Sequence, residues 1–303
     1  MARPNFFIIG APKCGTTALC QYLSEHPEIF ISHPKEPHFF AEDLPGYRFA
    51  KDLKSYLKLF DEATSKHKMI GEGSVYYLYS KVALDKIYEF NPQAKLIVML
   101  RNPVDLVYSL HSQLLYSRNE NIKDFQKAWI MQKKRLQGKY IPKSCTDPKV
   151  LQYGQVGMLG SQCKRLFSKK FLKDQILVIL FEDFVRSTQL VYEEVLSFLN
   201  VRNDGRKEFP VINSNSSHKI TFLSPLYVNT PKIIQILVKY LKKMMMIEDN
   251  IGLTRKIMYI NTKYGKRRQL DNHFRLYLTN FFHDDINLLS NIINKDLSHW
   301  LET

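Results

Sequence analysis

A glycine-spaced segment near the amino terminus is the first place where residue types and spacing could support chemistry. Four residues separate Gly10 from Gly15, and Thr16 and Thr17 follow directly. The segment comes after an apolar run and opens a helical pattern, the setting in which backbone N–H groups bind phosphate. Because glycine is also the ordinary residue of turns, the segment taken alone leaves a plain strand-to-helix turn open.

This loop departs from the P-loop of ATP and GTP hydrolases, whose pattern is GxxxxGK[ST]. Thr16 occupies the position of the motif's lysine, and the loop's one lysine, Lys13, precedes the second glycine. The strong strands further along end at Arg101 and Glu182, not at an aspartate that could hold Mg²⁺. These departures count against a P-loop-like nucleotide kinase, which stays the rival class of enzyme.

A second candidate is Arg101, which ends the most apolar strand pattern of the chain. Ser109 lies eight residues later, in the helix that begins after Asn102-Pro103. Open α/β sheets bind ligands at the carboxyl ends of their strands, and an arginine with a hydroxyl group there can hold a phosphate. Arg101 alone could equally form a structural ion pair.

The third candidate is the run Lys35-Glu36-Pro37-His38-Phe39-Phe40. It places a carboxylate and an imidazole, the two side-chain types that most often move protons in catalysis, beside aromatic groups. An exposed turn with ordinary charges would have a similar composition.

Strands and helices alternate around these motifs. The predicted strands lie at residues 5–10, 28–32, 69–73, 95–101 and 175–182, and helices are predicted at 56–60, 82–90, 189–199, 231–246 and 268–296. This alternation predicts an α/β fold with a central parallel sheet and helices on both faces. We expect one P-loop-like, three-layer domain over residues 1–303, in which 118–152 is a mobile substrate-side segment because it is polar, basic and weakly periodic.

The bulk composition indicates an anionic partner. Lysine and arginine together number 44 against 29 acidic residues, a net charge of +15 that favours an anionic ligand, nucleic acid or a membrane surface. No zinc-finger or RNA-binding motif supports nucleic acid, and no apolar run is long enough to span a membrane. The four cysteines form no CxxC pair and are expected to be free thiols; at a helix start, Cys14 is expected to have a lowered pKa.

Together these motifs resemble the PAPS-dependent sulfotransferase superfamily, where PAPS is 3′-phosphoadenosine 5′-phosphosulfate. The match spans most of the chain, including Tyr153 and Gly157 and the closing Asp296-Leu297-Ser298-His299-Trp300. The run around Glu36 is similar to the catalytic block of the heparan-sulfate-type branch, in which a glutamate is the base. The resemblance implies a soluble bacterial member with a P-loop-like fold.

The resemblance also implies roles for single residues. Lys13, Glu36 and His38 would be catalytic: Lys13 stabilises the leaving group, Glu36 is the base, and His38 is a rival base or an orienting group. His111 is a weaker rival. PAPS, released as adenosine 3′,5′-bisphosphate (PAP), would be bound by a larger set: Pro12, Lys13, Cys14, Gly15, Thr16, Thr17, Arg101, Ser109, Ser216 and Lys219. Ser216 and Lys219 belong to a later polar loop at 213–219.

The expected activity is in-line transfer of a sulfuryl group to a hydroxyl, or to an amine, of a small-molecule or carbohydrate acceptor. No metal, nucleic acid or stable membrane insertion is expected, and with Met1 as the native start the expected compartment is the cytoplasm. A non-catalytic nucleotide-binding relative remains an alternative, against which Glu36 is the main evidence. The sequence leaves the acceptor and the oligomeric state open.

Overall fold

The computed structural model describes residues 2–212, 216–218, 262–264 and 268–302, with 216–218 and 262–264 described for their backbone. Contacts divide the chain into two compact units. Unit 1 comprises Met1–Leu110, Gln152–Ile212 and Leu270–Thr303, and unit 2 comprises His111–Leu151 and Asn213–Gln269.

Unit 1 is built on a five-stranded parallel sheet. Its strands are β1 (Phe6–Gly10), β2 (Ile29–Ile31), β3 (Met69–Glu72), β4 (Lys95–Leu100) and β5 (Ile176–Leu180), arranged in the order β2-β3-β1-β4-β5. Every residue of β1 is buried, as a strand covered on both faces requires. Because β1 lies between β3 and β4, the loop after β1 emerges at the middle of the sheet's carboxyl edge.

Helices flank this sheet, which confirms the predicted α/β class. They are α1 (Thr16–Ser24), α2 (Leu53–Leu57), α3 (Ala83–Phe90), the start of α4 (Pro103–Tyr116), α6 (Tyr153–Gly157), α7 (Leu159–Phe167), α8 (Phe181–Arg186), α9 (Thr188–Leu199) and α10 (Asn272–Ile293). Short 3-10 turns cover Lys58–Phe60, Lys173–Gln175 and Ser298–Trp300.

The carboxyl end of β5 differs from the prediction. The strand was expected to continue to Glu182, but it ends at Leu180 and α8 begins at Phe181. Glu182 and Asp183 therefore lie in the first turn of a helix, where carboxylates interact favourably with the helix dipole. The apolar run continues past the strand because the first residue of α8, Phe181, is also apolar. Hydrophobic periodicity does not show whether such a residue ends a strand or begins a helix.

Unit 2 contains the later part of α4, α5 (Phe125–Leu136), a 3-10 turn at Pro148–Leu151, and an antiparallel pair formed by β6 (Ser216–His218) and β7 (Thr262–Tyr264). Arg135 of α5 donates two hydrogen bonds, of 2.6 and 2.7 Å, to the carboxylate of Glu120. Both side chains are fully buried, so removing either partner alone would leave an uncompensated charge. The helix predicted at 231–246 lies outside the described residues.

In the ranges that the structure describes, no helix is both long enough and apolar enough to cross a membrane.

The contact between α7 and α10 depends on one carboxylate. Asp285 of α10 accepts hydrogen bonds from the backbone N–H groups of Gly160 (2.6 Å) and Ser161 (2.8 Å), and from the Ser161 hydroxyl (2.6 Å). It therefore caps α7 from another helix, since Met158, which precedes α7, supplies no side-chain cap. A Cβ at Gly160 would lie 2.1 Å from the Asp285 carbonyl oxygen, which explains the glycine.

We expect Asp285→Ala to lower the free energy of unfolding by about 1–3 kcal/mol, because it leaves buried N–H groups without an acceptor. The matched control is Asp284→Ala, at the neighbouring residue, whose side chain is fully exposed; it should stay within about 0.5 kcal/mol of the parent protein. Urea denaturation of both variants measures the difference. Equal losses in the two variants would contradict the capping role.

Candidate active site

The glycine-spaced loop joins β1 to α1 as the sequence indicated. Gly15 adopts φ 85° and is the N-cap of α1, and it offers no side chain to cap the first turn. A Cβ added at Gly15 would lie 3.2 Å from ring carbons of Phe181 and Phe184, so both conformation and space favour glycine. Gly15 therefore gives the N–H groups at the start of α1 no side-chain cap. An anion site at a helix start needs such N–H groups as donors.

Cys14 corrects one expectation about this loop. The helix start was expected to lower the pKa of its thiol, but the side chain is fully buried and burial raises the pKa to about 12, against the opposing effect of the Arg101 charge. The Cys14 Sγ lies 3.4 Å from the Pro12 carbonyl oxygen, to which it donates. Cys14 thus packs as a small apolar side chain, and only its backbone can serve a ligand.

Glu36 lies between two positively polarised partners on the segment that follows β2. Its Oε1 is 2.7 Å from the Lys35 Nζ, and its Oε2 is 3.2 Å from the His38 Nε2. Burial raises the pKa of Glu36, but the Lys35 charge and the His38 hydrogen bond outweigh it and bring the pKa to about 2. About a third of the side chain remains exposed (34%), so the ionised carboxylate is open to a substrate.

His38 is buried, and its ring is surrounded by those of Tyr47, Tyr76 and Tyr77. Because ionised Glu36 can only accept, the His38 Nε2 must carry the proton of their hydrogen bond. In the part of the chain that the structure describes, the His38 Nδ1 has no hydrogen-bond partner. This arrangement lets the imidazole orient the carboxylate through its Nε2–H.

Lys35 connects the pair of Glu36 and His38 to the phosphate-type loop, which is the glycine-spaced loop of residues 10–17 that joins β1 to α1. Its Nζ lies 3.4 Å from the Thr16 Oγ1 as well as 2.7 Å from the Glu36 Oε1. Burial lowers the pKa of the Lys35 amine, but the neighbouring Glu36 carboxylate has the opposite effect. The net pKa is raised above the ordinary lysine value, so the amine is charged. No role was predicted for Lys35 from the sequence, although its charge and its place directly before Glu36 were the available signal.

Arg101 follows β4 and lies next to the same loop. One guanidinium nitrogen donates to the Lys13 carbonyl oxygen at 3.3 Å, and the guanidinium carbon is 4.6 Å from the centre of the Phe181 ring. Lys13 itself has a φ of 65°, a conformation that non-glycine residues seldom adopt. The contact from Arg101 therefore helps to hold the loop in an unusual shape.

The remaining predicted residues are placed less directly. Ser109 is buried in α4 with 4% of its surface exposed. His111 belongs to unit 2, where its Nε2 lies 2.8 Å from the Ile122 carbonyl oxygen and its ring packs on Phe125. Ser216 starts β6 of unit 2, and Lys219 lies outside the described residues.

The closing motif packs against the residues that follow β4 and against the first turn of α8. The Trp300 Nε1 donates to the Glu182 Oε1 at 2.6 Å, and the Asn102 side chain donates to the Trp300 carbonyl oxygen at 3.1 Å. Trp300 is buried, so this contact fixes the carboxyl end of β4 to the start of α8. In the described ranges, no group of three or more His, Cys, Asp or Glu is arranged to hold a metal ion.

Curated proteins that resemble this chain in sequence are named as sulfotransferases. Carbohydrate sulfotransferase 15 of Rattus norvegicus is 28% identical over 288 residues, which covers 77% of this chain and 51% of that protein. Heparan sulfate glucosamine 3-O-sulfotransferase 5 of Mus musculus is 29% identical over 124 residues, covering 41% of this chain and 34% of that protein. The chain therefore spans about half the length, or less, of these curated relatives.

A solved structure matches over the whole chain. The crystal structure of a sulfotransferase from Alicyclobacillus acidocaldarius has a TM-score of 0.71 and 28% sequence identity, and the alignment covers 100% of both chains. A family model described as the sulfotransferase domain matches residues 3–219, a range that includes the loop after β1, the Glu36 segment and Arg101. With nearly three quarters of its length matched, this chain belongs to the sulfotransferase domain family.

Proposed function

We propose that this protein transfers a sulfuryl group from PAPS to a hydroxyl or amine of a carbohydrate or small-molecule acceptor. The observation that carries the proposal is the position of Lys35, whose Nζ is within 3.4 Å of Thr16 in the phosphate-type loop and 2.7 Å from Glu36. One charged side chain therefore joins the candidate donor site to the candidate base, as a transfer reaction requires.

The residues of the loop fit the 5′ end of PAPS. The N–H groups at the start of α1 and the hydroxyls of Thr16 and Thr17 would bind the 5′-phosphate, with Pro12, Cys14 and Gly15 contributing backbone. Arg101 and Ser109 would bind the 3′-phosphate, the group that separates PAPS from ATP. The Phe181 ring beside Arg101 offers an apolar face at the same place. Ser216 and Lys219 stay candidates for the 3′-phosphate or adenine.

The chemistry is an in-line displacement. An acceptor oxygen or nitrogen attacks the sulfur, the bond from sulfur to the bridging oxygen breaks, and PAP leaves. Lys13 stabilises the charge that develops on that bridging oxygen, which is where electrostatic contributions are largest. Glu36 takes the acceptor's proton, and His38 orients the carboxylate through its Nε2–H. The Lys35 amine favours the ionised form of Glu36 in the resting enzyme.

The relatives favour a carbohydrate among the possible acceptors, because those with matching sequence are named for carbohydrate and heparan sulfate. The basic composition agrees with an anionic glycan. A nucleotide kinase is disfavoured because Thr16 replaces the lysine that reaches the outer phosphates of ATP. A non-catalytic nucleotide-binding relative is disfavoured by the open, ionised Glu36.

Incubation with PAPS labelled with ³⁵S and a panel of glycans, phenols, alkyl alcohols and amines tests the activity. Calorimetric titration with PAP, ADP and ATP tests the donor. We expect labelled product with a carbohydrate, and PAP to bind more tightly than ADP or ATP. Tight binding of ATP, with PAP no better, would exclude this proposal.

Lys13→Ala is expected to lower kcat by about 10²–10³-fold, because the leaving group loses its stabilising charge. Single-turnover kinetics at saturating PAPS measure the chemical step. Lys51→Ala, at an exposed lysine in the same unit, is the control and should keep the parent rate. An unchanged rate in Lys13→Ala would show that another group stabilises the bridging oxygen.

Glu36→Gln is expected to lower kcat by about 10²–10⁴-fold while PAP still binds, because only the proton acceptor is removed. Glu42→Gln, at an exposed residue close in sequence, is the matched control. Since the pKa of Glu36 is about 2, this carboxylate should stay ionised at every pH above about 4 and cause no acid loss of activity there. Near-normal turnover of Glu36→Gln with the true acceptor would refute the assignment of the base.

Arg101→Ala is expected to weaken PAP binding by about 10–100-fold, the effect of losing a charged hydrogen bond. Adenosine 5′-phosphate, which lacks the 3′-phosphate, separates two explanations in the same titration. If Arg101 binds the 3′-phosphate, the advantage of PAP over adenosine 5′-phosphate disappears. If Arg101 only supports the loop through the Lys13 carbonyl, both ligands weaken equally and the advantage persists.

A further inference from the structure

Glu72, the last residue of β3, is a carboxylate that the proposed reaction does not use. It is completely buried, and three hydroxyl groups donate to it. Tyr56 and Tyr77 donate to its Oε1 at 2.8 and 2.7 Å, and Ser74 donates to its Oε2. A buried carboxylate with only neutral donors is costly, so its retention calls for an explanation beyond packing.

Two of these hydroxyls also contact the backbone of the segment 36–40, which carries Glu36 and His38. The Ser74 Oγ accepts from the backbone N–H of His38 at 2.9 Å, and the Tyr77 hydroxyl oxygen accepts from the backbone N–H of Phe40 at 3.3 Å. Each hydroxyl therefore donates its single proton to Glu72 and uses a lone pair for the backbone of the segment. The Tyr56 hydroxyl also donates to Glu72, but Tyr56 contacts the segment through its ring, which stacks on Phe39 with 4.4 Å between the ring centres.

The backbone at His38 needs this support. His38 has a φ of 48°, in the left-handed region where a residue with a side chain is disfavoured by about 1–2 kcal/mol. That conformation brings the His38 Nε2 to 3.2 Å from the Glu36 Oε2. The hydrogen bond that Ser74 accepts from the His38 N–H acts directly at the strained residue.

We propose that Glu72 is a positioning residue for Glu36 and His38, in which the carboxylate fixes the Ser74 and Tyr77 hydroxyls as acceptors for the backbone N–H groups of His38 and Phe40. Its effect on catalysis rests on the proposed function, whereas its effect on the backbone does not. The side chain at this position must only accept hydrogen bonds. A donor group there would leave the proton of the Ser74 or the Tyr77 hydroxyl without an acceptor.

The charge state of Glu72 adds a pH dependence. Burial raises its pKa to about 7, against the hydrogen bonds from Ser74, Tyr77 and Tyr56, and the nearby Glu36 charge raises it further. The other titratable groups that interact with it are Lys35 and Cys20. When Glu72 is protonated, its own O–H must point at a hydroxyl oxygen, and that hydroxyl's proton loses its acceptor.

The backbone test is amide hydrogen exchange resolved at single residues by NMR. In Glu72→Gln, protection of the His38 and Phe40 amides should fall by at least about tenfold, because the amide group of glutamine donates as well as accepts. In the wild type, protection corrected for intrinsic exchange should fall as the pH is lowered from about 8 to 6. Unchanged protection at both amides in Glu72→Gln overturns the proposal.

A matched pair of variants covers the case in which Glu72→Gln does not fold. Tyr77→Phe and Tyr56→Phe remove the same hydroxyl group from equally buried tyrosines that donate to the same oxygen. Tyr77→Phe should lower protection at Phe40 by about tenfold, and Tyr56→Phe by less than about threefold. Equal losses at Phe40 in the two variants overturn the proposal.

The kinetic test distinguishes positioning from general stability. Glu72→Gln should lower kcat by about 10–100-fold in the parent enzyme and leave PAP affinity within twofold. In the Glu36→Gln background, adding Glu72→Gln should lower kcat by little more. An equal loss in both backgrounds means a merely structural role and overturns the proposal. If the wild type transfers no sulfuryl group to any acceptor, the proposed function fails, and hydrogen exchange still decides the role of Glu72.

Discussion

The ion pair between Lys35 and Glu36 is the interaction on which the site depends. At 2.7 Å, with a second contact from the Lys35 Nζ to Thr16, it holds the segment after β2 against the loop after β1. These two strands are not neighbours in the sheet, because β3 lies between them. The pair therefore spans a strand and fixes the distance between a phosphate-type loop and a proton acceptor, which no backbone hydrogen bond of the sheet could do.

Three carboxylates of the molecule, Glu120, Glu36 and Glu72, have different hydrogen-bond and charge partners. Glu120 and Arg135 of unit 2 neutralise each other through two hydrogen bonds, a pairing that serves the structure of that unit. Glu36 is kept ionised by the neighbouring Lys35 charge, and its side chain stays partly exposed, which agrees with the proposed role as a base. Glu72 has only neutral hydroxyl donors in contact, and burial raises its pKa to about 7 against the hydrogen bonds from those hydroxyls. Groups with such perturbed pKa values cluster at functional sites more often than elsewhere.

Unit 1 contains most of the residues proposed for the donor and the base, and the contacts of Trp300 and Asp285 bring its last segment back onto its core. The acceptor is a different matter. The sequence matches cover 51% of one curated relative and 34% of the other, so their named acceptors describe proteins with additional sequence outside the match. Under the proposed function, an acceptor would approach at the exposed part of the Glu36 side chain. The exposed lysines of α5 belong to unit 2.

The sequence by itself determined the α/β class, the five strands and the loop between Gly10 and Thr17. Apolar runs that alternate with helical patterns, and glycines spaced around a strand-to-helix turn, are local signals that need no tertiary contact to be interpreted. It also singled out Glu36, His38 and Arg101 by residue type. The tertiary structure decided which contacts these groups make, because pKa values and hydrogen-bond partners depend on burial and on residues distant in sequence. It reversed the expected pKa shift of Cys14 and ended β5 at Leu180. It also linked Glu72 to His38 through the Ser74 hydroxyl, which accepts from the His38 N–H across 36 residues of chain, and no local pattern encodes that contact.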